Sequence, residues 1–64
     1  MFKINDLVRG LSGALYVVKG VYSEDSRVVI WRMTLVNVKS GRKSNNRNPR
    51  WFTLVGHNYK ELPR

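Results

Sequence analysis

Between Lys39 and Phe52 the chain reads KSGRKSNNRNPRWF, which holds five cations, three asparagines, a proline and two adjacent aromatics, with no acidic residue. Lys39, Arg42, Lys43, Arg47 and Arg50 can each neutralise a phosphate, and the amides of Asn45 and Asn46 offer both donors and acceptors to a backbone or a base edge. Five cations engaged on a duplex would give a log–log salt slope of about −4 to −5. Trp51 and Phe52 are neighbours, so on a strand they point to opposite faces. Phe52 shares its face with Leu54 and is expected inside, which leaves Trp51 outside beside Arg50, where a ring can stack on an unpaired base or anchor a protein contact. The alternative role for 39–50 is a solvated loop whose charges keep two strand ends from aggregating.

No other constellation competes. His57 is the single histidine, in a Gly-His-Asn turn, and the chain has no cysteine, so neither a zinc set nor a Cys–His nucleophile can be assembled. Ser12, Ser23, Ser26, Ser40 and Ser44 fall in turn-like stretches, where hydroxyls cap local backbone, and none has a base beside it. Of the four carboxylates, Glu24 and Asp25 share one turn, while Asp6 and Glu61 read as surface ion-pairing groups near the first and last strands. Nothing sets two of them across one cleft with separated pKa values. Gly10 and Gly13 bracket Leu11 and Ser12 with no helix to follow, so they read as turn glycines and not as a phosphate cradle. These readings predict a protein that is not an enzyme and needs neither cofactor nor metal.

The elements that must carry the basic stretch are strands. Sixty-four residues make one domain, 1–64, near the lower size limit for a core without disulfides or metals. Twelve Lys and Arg against four acids leave a net charge of +8, the footprint of a chain that meets polyanions. The absence of cysteine suits a reducing compartment, and no stretch approaches the ~18 apolar residues of a membrane span, so a short, complete cytoplasmic product beginning at Met1 is expected.

Asp6–Arg9 reads as a short strand, and Leu15–Tyr22 and Arg27–Val38 are dominated by β-branched and aromatic residues. The four polar residues SEDS between those two runs predict an antiparallel hairpin. Trp51–Val55 and Tyr59–Leu62 complete five strands. In the long run, Val29, Trp31, Met33 and Leu35 alternate with Arg32 and Thr34, which places Trp31 in the core. Val36 and Val38 then break the alternation. A straight strand of that length would span roughly 40 Å, too long for so small a domain, so a bulge near Thr34–Val36 is predicted. Ser40-Gly41 and Asn48-Pro49 carry turn chemistry and Asn45-Asn46 disfavours a strand, so 39–50 is expected to leave the sheet as a long basic loop between strands 3 and 4. The inward face of Leu15–Tyr22 stays open: either the face of Tyr16 and Tyr22 is exposed, and with Arg9 they extend the candidate surface, or that face is core and Lys19 lies outward instead.

The entry NDLVRG, the strand YVVKGVY and the closing YKEL together resemble the layout of the SH3-like barrels of the KOW and Tudor type over most of the chain, with Asn5 where glycine is common in that layout. The resemblance implies an all-β, five-stranded antiparallel barrel. Such barrels usually bind RNA, DNA, peptides or modified tails and rarely catalyse.

The leading expectation is therefore a nucleic-acid-binding barrel, for DNA or RNA, that acts through Lys39, Arg42, Lys43, Asn45, Asn46, Arg47, Arg50 and Trp51. The second is a protein-interaction module, of the kind phages use to redirect a host enzyme, that docks its basic face on an acidic partner. Either would be a monomer, or a weak dimer if an edge near Trp51–Val55 is left open.

Overall fold

The computed structural model describes residues 2–23, 27 and 31–59. Its strands are β1 (Leu7–Arg9), β2 (Leu15–Ser23), β3 (Trp31–Asn37), β4 (Lys43–Arg47) and β5 (Thr53–Gly56), with a 3-10 turn at Pro49–Trp51. All pairings are antiparallel, in one sheet of order β4-β3-β2-β1-β5, so the fifth strand returns beside the first. This order is compatible with an SH3-like layout. Among the described residues no ladder joins β4 to β5, and the sheet is not closed. The chain crosses from one edge to the other through the 3-10 turn, which interrupts the extended backbone where a closing ladder would begin. Among the described residues no helix is long and apolar enough to cross a membrane.

Register shifts shape the sheet. Val18 pairs with Leu35 and Gly20 with Thr34, so Lys19 is an extra residue in β2. Met33 pairs with Arg47 and Leu35 with Ser44, which puts one extra residue in β4. Both register shifts thus fall beside Thr34–Leu35, inside the predicted window, but the extra residues belong to the two partner strands, and the bulge expected in the long run itself is not there: β3 is regular. A bulge reverses side-chain parity. Tyr16 and Val18 face the core before Lys19, Val21 faces it afterwards, and Tyr22 turns outward at 38% exposure. Neither of the alternatives left open for β2 holds along its whole length.

Val8, Val18, Met33, Leu35 and Phe52 form the core cluster, with Phe2, Tyr16 and Val21 packed against it. Trp31 is 41% exposed and not a core residue, contrary to its alternation with Met33. It pairs with Ser23 at the far end of the β2–β3 ladder, beyond the Val21–Met33 pair where the core ends. Leu54 is also exposed, at 43%, because β5 is an edge strand with only β1 beside it.

The expected long loop is the largest correction. Residues 39–50 are divided among a short turn, strand β4 and most of the 3-10 turn. Asn37 organises the first part: its Oδ1 accepts from the Lys39 and Ser40 N–H groups at 2.8 and 2.9 Å, and its carbonyl accepts from Gly41 at 2.8 Å. Gly41 has φ 75°, a left-handed conformation that favours glycine. With the turn fixed, Lys43–Arg47 is delivered against β3, and the ladder outweighs the poor strand propensity of Ser and Asn. Thr34 Oγ1 donates to Asn45 Oδ1 at 3.1 Å across the pair, which gives one of those asparagines a partner. The expected SEDS hairpin turn and the strand Tyr59–Leu62 fall almost wholly outside the described residues, as do Asp25, Glu24 and Glu61.

Candidate nucleic-acid interface

The sequence around Asn48 sets the geometry of the site. Asn48 Oδ1 accepts from Arg50 N–H at 3.0 Å, Pro49 supplies the fixed φ of a first helical position, and Phe52 N–H closes the turn on the Pro49 carbonyl at 3.2 Å. This single turn swings the backbone so that Trp51 is exposed at 57% while Phe52 enters the core. The sequence-based expectation for this adjacent pair holds, although the turn and not a strand produces it.

Phe52 meets Tyr16 edge to face, with centroids 5.7 Å apart and planes at 90°. Over this pair lies the Arg47 guanidinium, 5.4 Å from the Phe52 centroid and 5.9 Å from that of Tyr16. A cation on two ring faces is held by their quadrupoles. The β1–β2 loop forms the opposite wall. Gly10 and Ala14 pair through an N–H to carbonyl bond of 2.9 Å, and Gly13 turns with φ 89°. Gly10 must stay small: a Cβ there would sit 3.3 Å from Phe52 and 3.4 Å from Tyr16. Leu11, at the loop tip, is 81% exposed. These walls enclose an open cleft of about 420 Å³, lined by Gly10, Leu11, Ser12, Tyr16, Arg47, Trp51 and Phe52.

The predicted site residues therefore separate into groups. Lys39, Arg42 and Lys43 are exposed at the β3–β4 turn. Arg47 and Trp51 line the aromatic cleft, at the other end of β4 and just beyond it. Asn45 is exposed on β4 and bonded to Thr34; Asn46 lies in β4, with its side chain outside the description. Arg50 points into a second cleft of about 300 Å³, with Phe2, Asp6, Pro49, Leu54 and His57.

Asp6 is no surface ion-pairing group. It is 2% exposed, accepts the Lys3 backbone N–H at 2.8 Å, and lies 2.8 Å from His57 Nδ1. Burial pushes its carboxyl up, but the Lys3 hydrogen bond, the His57 hydrogen bond and the nearby positive groups prevail, and the value settles below that of an ordinary aspartate. His57 remains mostly exposed on its other side. Asp6 is the one carboxylate among the described residues, so no described acid reaches the Arg47 cleft.

Phe52, Gly10 and Leu11 were absent from the site drawn from sequence, and Tyr16 entered it only under one of the two alternatives for β2. The signal for Tyr16 was present in the face-sharing of β2 but needed the bulge position to be read, and Leu11 carries no local signal beyond being apolar in a turn. No protein-family model, curated protein or solved structure matches the chain.

Proposed function

We propose that the chain is a small SH3-like, KOW/Tudor-type module that binds nucleic acid in the cytoplasm, and that it is a binding protein and not an enzyme. The observation that carries this reading is the disposition of β4: cations stand at both of its ends, and the far end adjoins an aromatic cleft with an exposed tryptophan and no described carboxylate. A polyanion lying along the β4 edge would meet Lys39, Arg42 and Lys43 at the turn, then Arg47 and Trp51 about 10 Å further on, given the rise of the three β3 residues that the bulged strand spans. The net charge of +8 supplies the long-range attraction. Within the KOW/Tudor range of ligands, a methylated cationic tail is the poorest fit, because Arg47 already lies over the Tyr16 and Phe52 rings.

The test is fluorescence anisotropy of labelled single-stranded DNA, duplex DNA and RNA at several salt concentrations. Wild type should bind at ~0.15 M salt with a steep negative slope, and a Lys39, Arg42, Lys43 triple-Ala variant should flatten that slope by about two units. Equal slopes for the two proteins, or no binding above very low salt, would remove this reading and favour an acidic protein partner.

A further inference from the structure

Arg47 is half-buried, lies on two ring faces and has no described carboxylate within reach. Such a guanidinium keeps in-plane donors available for an anion or a base edge while its flat face is occupied. The indole of Trp51, more than half exposed, lines the same cleft, and so does the exposed Leu11. Together these offer a flat apolar surface, a fixed cation and a wall of backbone, in a space within the ~300–1,000 Å³ range of small-ligand sites.

We infer that this cleft is a subsite for one unpaired nucleotide, with the base stacked against Trp51 and its phosphate or polar edge on Arg47, so that the preferred ligand is single-stranded. The inference rests on the nucleic-acid reading and narrows it. A paired base inside a duplex cannot present its face to an indole, whereas a splayed base can. Gly10 keeps the cleft open, since a Cβ at that position would press on the Phe52 and Tyr16 rings. The exposed cations Lys39, Arg42 and Lys43 serve strands of any kind. The cleft alone distinguishes a base from its absence.

The experiment compares three labelled probes at ~0.15 M salt: a single strand of about ten nucleotides, a strand of the same length built of abasic sites, and the duplex. Stacking of one base predicts that the base-containing strand binds roughly 5- to 100-fold tighter than the abasic one. Trp51→Ala should collapse that ratio toward one, and Trp51→Phe should restore part of it. Because Trp51 is largely outside the core, a thermal melt of both variants should stay close to wild type. Arg47→Lys keeps the charge but loses the planar stack, and should lower the ratio as well. Equal affinity for all three probes, unchanged by Trp51→Ala, would overturn the subsite while leaving a phosphate-binding protein. Failure of every probe to bind would overturn the nucleic-acid reading and the subsite together.

Discussion

Two clefts flank the Pro49–Trp51 turn, each with an arginine at its wall, and they differ in what lies at the floor. On the Trp51 side the floor is a pair of rings with Arg47 over them. On the Arg50 side it is the buried carboxylate of Asp6, capped by His57. An incoming phosphate finds a cation without a described acidic partner in the first cleft and a fixed negative charge in the second. Counting charges along 39–50 treats Arg47 and Arg50 alike. The floor separates them, and it is built by residues distant in sequence: Tyr16 and Gly10 in one case, Asp6 and His57 in the other.

Substitutions that act on one floor at a time test this contrast. The largest effect is expected from Phe52→Ala, which removes a core ring and the seat of Arg47 together. Loss of a buried phenylalanine costs about 3–5 kcal/mol, comparable with the whole stability of so small a domain, and denaturant titration should show a chain largely unfolded without denaturant. Asp6→Ala comes next. It leaves the Lys3 N–H without its acceptor and the His57 ring without its partner, at about 1.5–3 kcal/mol, yet in chains that remain folded it should leave oligonucleotide affinity near wild type, because the proposed subsite lies in the other cleft.

The acid limb carries the same contrast. The Asp6 carboxyl is held below its ordinary value of 3.8, so its contribution to stability is present above that pH and is lost as pH falls through the lower, folded-state value. Asp6→Asn should flatten the loss of stability that circular dichroism sees as pH falls below about 4. An unchanged acid limb would mean that the carboxylate's contacts with the Lys3 N–H and with His57 do not bias folding.

Smaller effects follow. Gly10→Ala places a methyl 3.3 Å from the Phe52 ring, should cost about 1 kcal/mol, and should weaken single-strand binding several-fold while Asp6→Asn does not. Arg50→Ala should be smallest, within about 0.5 kcal/mol in stability and at most one unit in salt slope. A loss on Arg50→Ala that matched Arg47→Ala would erase the distinction between the clefts.

The legible parts of the fold were those written in local pattern. The β-branched runs gave β2 and the described part of β3, and adjacency placed Trp51 outward and Phe52 inward, whereas the bulge expected in the second run lies in its two partner strands. Strand β4 was not legible, because KSNNR lacks strand propensity and forms only once Asn37 has fixed the preceding turn and β3 offers its edge. Trp31 was misplaced because alternation reports a face and says nothing of where along the strand the core ends. The site was half legible: Arg47 and Trp51 were drawn from charge and exposure, while Tyr16 required knowledge that Lys19 bulges and Gly10 required knowledge of which rings it approaches. Asp6 read as a surface group because His57, 51 residues away, reaches it only after β5 returns beside β1, while the Lys3 hydrogen bond is local to the turn that precedes β1.

The most direct measurement is a two-dimensional nitrogen–proton NMR titration of the intact chain with a short single strand, reading the backbone amides together with the Trp51 indole and Arg47 Nε–H signals. The account predicts that the largest shifts fall on Trp51, Arg47, Gly10 and Tyr16, with smaller ones at Lys39–Lys43 and little change at Asp6 and His57. Shifts confined to the β3–β4 turn, or centred on the Asp6–His57 cleft, would contradict it.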